Sequence, residues 1–419
     1  MSISPSFATT GQQHHFFGYY DKSPLDKSAR RLLCLQTDFT DRLPTAEDVA
    51  TIGYWSLTEK TFHKLAETRA FNWQQGCMLQ WLGPDYDRYI IFNDRDAEHF
   101  ISIILDTQTG ERTTLPSPIY SVHPNGKSAI TVDFERLYFP RRSYAYAGIE
   151  NAAKNQKMVE GDGIFWLDFQ QKSLQPLIST QQMYETEHLS SMAFGDHYLE
   201  HLMFCPDGER FLFLHRWVLD DGGIFSRLYS ARKDGRDIRL LLNSGKVTHF
   251  NWLGNQQVIA WGGLPNPLNK LRQHRSLVKL LFKPLLPLYH RFIKGKLARK
   301  ISGQGYILLN DALQTNAHLF AEHCLQVDGH PSWNPQNPQW LVTDTYQDDE
   351  FNQWLYLYNV QTKQLIIVDK LHTPPEFADS PMRCDLHPRW DFTGRYICVD
   401  SLHTGQRQMY IYDVANLMS

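Results

Sequence analysis

Four histidines frame the chemistry open to this 419-residue chain. His201, His249, His330 and His387 each stand five residues ahead of the proline, or its equivalent, of a recurring turn, in four consecutive stretches of sequence. Tyr19 and Met78 hold the same place in the first two stretches. Imidazole is the commonest protein ligand for Zn, Mn, Fe or Ni, so several rings at one locus suit a divalent cation. The same rings also suit a cationic pocket for a carboxylate, or a polar lining that holds water.

Other reactive groups lie close by in sequence. The opening segment from His14 and His15 through Gly18, Tyr19 and Tyr20 to Asp21 and Lys22 gathers two imidazoles, two phenols and an ion pair. Arg95 follows Asn93 and Asp94, Tyr146 follows Arg141, Arg142 and Tyr144, and His215, Arg216 and Trp217 are consecutive. Asp344 precedes Tyr346, and Arg389 follows His387 by two. Arginine grips carboxylates bidentately, Tyr and His transfer protons, and an indole face stacks on a sugar. His14, His15, Arg95, Trp217 and Arg389 are therefore the candidates for binding substrate. A two-carboxylate hydrolase is not indicated, since no closely spaced Glu pair occurs. Nor is there a G-x-S-x-G elbow or a Walker loop.

Residues scattered this widely meet only if the backbone repeats. The turn His123-Pro124-Asn125-Gly126 precedes an apolar run, and so does Cys205-Pro206-Asp207-Gly208. Worn copies begin at Ser23, Trp81, Trp252, Trp333 and Trp390. Asp-Gly and Asn-Gly tolerate positive φ and suit tight hairpins. The seven copies delimit units in which nearly all the regular pattern is strand. Such spacing predicts an all-β chain, a single seven-bladed β-propeller over residues 1–419. An N-terminal strand is expected to close the last blade. In a propeller the equivalent inner-strand positions face one central channel, which is where the four histidines would converge.

Composition agrees with a packed fold. Apolar residues make up 42% and aromatics 13% of the chain, which rules out wholesale disorder. No apolar run approaches the roughly 18 residues of a membrane span, and the N-terminus shows no secretory pattern. The six cysteines form no C-x-x-C pair and read as reduced, buried thiols of a cytoplasmic protein.

The net charge of −3 conceals a division. Residues 265–303 carry ten Lys and Arg and no Asp or Glu, so the remainder is acidic. Arg272, Arg275, Lys279 and Lys283 follow helical spacing, which predicts a basic amphipathic helical insertion in blade five. Such helices lie on anionic membrane surfaces, so an anionic membrane surface is an expected partner and a place peripheral to the inner membrane an expected location, with contact to an acidic partner protein and a solvated cap on the propeller as the alternatives. Nucleic acid is not expected as a partner.

The segments HHFFGYYDKSP, WQQGCMLQWLGP, DGHPSWNP with TDTY, and DLHPRWDFTGRYICVDS resemble a family of bacterial seven-bladed propellers, the oligogalacturonate lyases, and more distantly the propeller-type ulvan lyases. The likeness spans nearly the whole chain outside 265–303. It implies β-elimination on a uronate-containing glycan, with a manganese-type ion held by histidines and an arginine as base. Carried over residue by residue, it implies His201, His330 and His387 as metal ligands, with His249 the fourth by register. Arg216 matches the arginine base, and Tyr19 or Tyr146 would be the acid. The expected cofactor is a divalent metal, Mn or Zn, and the expected partner a glycan of surface polysaccharide metabolism. The alternative expectation is a non-catalytic propeller that scaffolds a membrane-associated glycan-assembly complex.

Overall fold

Each recurring turn reverses the chain between two antiparallel strands, as its spacing requires. In the computed structural model, which describes residues 3–150, 156–264, 303–313, 316–378 and 380–418, Ser121–Val122 pairs with Ser128–Val132, Gly195–Phe204 with Arg210–Leu219, and Arg389–Trp390 with Tyr396–Ser401. The glycines that end these turns, Gly126, Gly208 and Gly394, have φ of +70°, +77° and +70°. That left-handed conformation costs glycine nothing.

The strands form seven four-stranded antiparallel sheets, the blades of a seven-bladed β-propeller. The first six span residues 14–68, 80–115, 121–179, 195–245, 247–320 and 332–372. The seventh takes its three inner strands from 389–413 and its outermost from Phe7–Ala8, which pairs with Ile411 and Tyr410. An N-terminal strand thus closes the last blade, as expected.

The chain divides into two compact units. Met1–Lys154, Phe165–Gln175 and Gly329–Ser419 form one, holding blades one, two, six and seven and most of three. Asn155–Ile164 and Pro176–Asp328 form the other, with blades four and five. In the first unit the tryptophans that mark the repeats join neighbouring blades. Trp81 Nε1 donates to the Pro24 carbonyl and Trp390 Nε1 to the Ser332 carbonyl, both at 3.0 Å. In the second unit Trp252 Nε1 donates to the Met203 carbonyl at 3.1 Å. Each residue therefore fills the core with its ring and satisfies a backbone acceptor with its N–H.

The apolar cores follow from period-two burial along the strands. Phe16, Leu33, Leu35, Ile52 and Phe92 belong to one cluster of the first unit, and Val342, Leu357, Leu386, Ile397 and Val399 to another. All six cysteines are free thiols, five of them buried. Burial pushes the Cys384 and Cys398 thiols up to about 12. Residues 265–302, all but the last residue of the helical insertion expected over 265–303, lie outside the described residues. The strands on either side, Gln257–Gly263 and Gln304–Asn310, pair directly in blade five, where the insertion was expected. No helix among the described residues is long and apolar enough to cross a membrane.

Candidate metal centre

His330 and His387 each precede a short inner strand by two residues, Ser332–Trp333 and Arg389–Trp390. Within the first unit they meet, with ring centroids 4.3 Å apart and planes at 84°. Their ring protons are set by what each Nδ1 faces. His387 Nδ1 lies 2.8 Å from the Gly18 carbonyl, which only accepts, so this nitrogen carries the proton. His330 Nδ1 lies 2.9 Å from both oxygens of buried Asp344 and donates likewise. With Nδ1 donating, Nε2 of each ring is the nitrogen left to ligate a metal once the ring is neutral, and the acceptor behind Nδ1 orients it as in carboxylate–histidine–metal arrangements. Asp344 also accepts from the His330 amide at 2.6 Å and the His387 amide at 3.2 Å, so one carboxylate aligns both histidines.

Asp385 completes the group. One ligand atom from each of His330, Asp385 and His387 lies within 4.8 Å of the others, and all three residues are buried. Two imidazole nitrogens and one carboxylate oxygen are a donor set that fits a first-row divalent cation such as Mn or Zn. Sequence reasoning missed Asp385. Its signal was the short run Asp385-Leu386-His387, in which Leu386 packs in an apolar core while Asp385 and His387 come together beside His330.

The aromatic segment near the N-terminus furnishes the surroundings. Tyr19 packs edge-on to His387 at 5.1 Å, and Tyr20 lies 5.2 Å from His330. Burial, then the neighbouring phenols Tyr20, Tyr144, Tyr120 and Tyr346, holds the Tyr19 hydroxyl well above its ordinary value, so it keeps its proton. Gly18 must be glycine. Its φ is +131°, and a Cβ there would meet the Gln75 backbone at 2.6 Å. Its carbonyl also accepts from Arg389 Nη1 at 3.1 Å, while Arg389 Nη2 binds Asp400 at 2.5 Å. Arg389, expected as a substrate arm, is an internal strut, 1% exposed.

Further expected residues lie elsewhere in this unit. His14 Nδ1 accepts from the Arg407 amide at 3.2 Å. His15 is buried between Gln408 and Gln36, at 2.9 and 3.0 Å. Arg95 donates to the Ala46 carbonyl. Tyr146 is buried with its ring stacked on Phe134 at 4.7 Å, and its hydroxyl accepts from Asn93 at 3.0 Å.

His201, His249, Arg216 and Trp217 belong to the second unit. His201 has φ of +56°, matching Met78 at +55° and His387 at +45°, so the repeat keeps an unusual backbone turn at this register. Buried Glu200 sits 3.3 Å from His201 Nδ1 and 2.9 Å from Arg216 Nε. His249 Nδ1 lies 2.9 Å from Asp328. Trp217 is fully buried, stacked on Phe225 at 5.4 Å and on His197 at 6.0 Å, which leaves no indole face open to a sugar.

His197 and His215 are expected to make this unit acid-sensitive. His197 Nε2 donates to the Met192 carbonyl at 2.8 Å, so its Nδ1 accepts from His215 Nε2 at 2.9 Å. Burial first, then unfavourable electrostatics with His197 and Arg227, pushes the His215 imidazole well below its ordinary value. The unfolded chain then binds this proton more readily. The stabilisation is complete above the unfolded value of about 6.5 and is lost as pH falls below it. Each tenfold difference in proton affinity between the folded and unfolded chain is worth about 1.4 kcal/mol. The melting temperature is expected to fall by several degrees between pH 7 and pH 5, as calorimetry would record, and His215→Gln to flatten that slope. An unchanged slope in the variant would mean that other groups carry the acid sensitivity.

No protein-family model and no curated protein matches the sequence. Solved structures do. The chain is similar to an oligogalacturonate lyase in complex with manganese, at 13% identity and a TM-score of 0.61, over 99% of this chain and 95% of that one. An oligogalacturonate lyase from Vibrio parahaemolyticus gives 12% identity and a TM-score of 0.59, over 100% and 97% of the two chains. Hydrazine synthase of Kuenenia stuttgartiensis gives 8% and 0.54, over 95% and 96%. At these identities the likeness establishes the propeller fold that the repeats predicted.

Proposed function

We propose that the protein is a metal-assisted lyase that cleaves a uronate-containing glycan by β-elimination. The observation that carries this reading is the buried group His330, Asp385 and His387, with its rings oriented by Asp344 and Gly18 and a protonated phenol beside it. The fold shared with oligogalacturonate lyases, one of them in complex with manganese, supports the same reading.

His330, Asp385 and His387 would hold the cation. When bound, it supplies Lewis-acid neutralisation of the uronate carboxylate, which stabilises the enolate that develops as the C5 proton leaves. Asp344 and the Gly18 carbonyl keep both imidazoles in the ligating tautomer. Tyr19, with its hydroxyl proton retained by burial, is the acid for the departing C4 oxygen. As the C5–H bond breaks, its electrons form the C4–C5 double bond, the C4–O bond opens, and the leaving oxygen takes up a proton. Arg216 carries the role of base on the resemblance alone. Action at an anionic membrane surface is part of this proposal on the basic composition of 265–303 alone, ten Lys and Arg with no Asp or Glu.

The test is incubation of the Mn-loaded full-length protein with oligogalacturonate and a panel of other uronate oligosaccharides. An ultraviolet-absorbing unsaturated product is expected from at least one of them, diminished by Arg216→Ala and by Tyr19→Phe. No product across the panel from protein that retains its metal would sink the lyase and favour the non-catalytic scaffold.

A further inference from the structure

Most arginines buried in the first unit are spent on the fold. Arg389 uses both terminal nitrogens, on the Gly18 carbonyl and on Asp400. Arg407 binds Thr40 through Nε and the Met382 carbonyl through Nη2. Arg383 differs from both.

Its backbone is held firmly. The amide donates to the Ser380 carbonyl at 3.1 Å, and its own carbonyl accepts from Gln74 at 3.2 Å and Arg407 at 3.3 Å. The side chain leans on the metal-ligand group itself. Nε donates to both oxygens of Asp385, at 3.1 and 3.0 Å, and the guanidinium lies 5.5 Å from the Tyr346 ring centre. Tyr346 in turn lies 5.8 Å from the His330 ring. Nη1 and Nη2, with four of the five guanidinium N–H groups, make no hydrogen bond among the described residues, and the side chain is 26% exposed. One edge of the fork is anchored, and the opposite edge faces outward.

We propose that the outward edge of Arg383 binds a uronate carboxylate of the substrate, making Arg383 the residue that selects an anionic glycan over a neutral one. This deepens the lyase reading and rests on it for the identity of the sugar. The charge balance agrees. A divalent cation and the Arg383 guanidinium, set against the carboxylates of Asp344 and Asp385, leave one positive charge in surplus, and an anionic ligand is what offsets it. The two terminal amines match the two oxygens of a carboxylate, a geometry that lysine cannot reproduce. Anchoring by Asp385 fixes the fork before the ligand arrives, so little side-chain freedom is lost on binding.

The experiment is isothermal titration of the Mn-loaded full-length protein with digalacturonate and with its neutral dimethyl ester. A charge-assisted pair is worth about 1.5–3 kcal/mol, so wild type is expected to prefer the acid by about ten-fold or more. In Arg383→Gln that preference should collapse towards parity, read at saturating manganese and below the variant's own melting temperature, because losing the Nε partner of Asp385 also weakens metal affinity and the fold. Arg383→Lys, which keeps the charge and is the variant to rely on if Arg383→Gln does not fold, should lose several-fold because the fork is gone. Undiminished preference in the folded variants, or no preference in wild type, overturns the assignment. The elimination assay separates the two readings. Product together with a preference indifferent to Arg383 leaves the lyase standing without this anchor. An Arg383-dependent preference without product leaves a carboxylate-binding site that is not a lyase.

Discussion

Replacing His330 by alanine is expected to abolish stoichiometric manganese binding and, with it, elimination. Losing even the outer partner of a metal ligand costs about 10–100-fold in affinity. His330→Ala removes a ligand outright, and only Asp385 and His387 of the group remain. The substitution also takes from Asp344 the ring N–H at 2.9 Å, although both backbone donors persist. The fold should therefore survive better than the site. Metal content by mass spectrometry, read beside the melting temperature, distinguishes these effects. Asp344→Asn supplies the graded comparison. It keeps the three ligands and exchanges a charged acceptor for an amide, so its affinity should fall by about 10–100-fold. A His330→Ala protein that keeps one equivalent of manganese would show that the cation binds elsewhere.

The sequence disclosed the fold because its marks are local and repeated. The turn glycines at 126, 208, 254 and 394 all take positive φ, and the tryptophans at 81, 252 and 390 each donate to the carbonyl of a neighbouring blade. Register disclosed His330 and His387 for the same reason, since equivalent positions of a repeat share a backbone shape. It could not disclose Asp385, because one carboxylate two residues before a histidine stands out only once Leu386 is known to face the core. Register also cannot tell a reaching arginine from a supporting one. Arg389 and Arg383 are near neighbours in sequence, yet Arg389 closes on Asp400 inside the core, and Arg383 spends one edge on Asp385 and presents the other. Aromatic packing hid Trp217 in the same way, for stacking on Phe225 uses the face that a sugar would need.

The Arg389–Asp400 pair is the point where fold and site are joined, and breaking it should give the largest loss of stability. Both side chains are almost wholly buried and meet at 2.5 Å. Asp400 also accepts from the amides of Phe17 and Gly18, at 3.1 and 3.3 Å, so it holds the segment whose carbonyl orients His387. Arg389→Met fills similar space but leaves a buried carboxylate without its cation. Removing one partner of a buried pair typically costs about 3–5 kcal/mol, whereas replacing both with apolar groups is often neutral. Asp400→Leu should cost as much by stranding the guanidinium. The double variant Arg389→Met/Asp400→Leu should recover part of the loss while still lacking the acceptor for the Phe17 and Gly18 amides. Thermal unfolding of the four proteins closes the cycle, and manganese titration of the double variant isolates the second role. If the Phe17–Gly18 segment needs this pair to aim its carbonyl, through Asp400 on its amides and Arg389 on the carbonyl itself, manganese affinity stays low even where stability returns. Wild-type affinity in the double variant would assign the pair to stability alone.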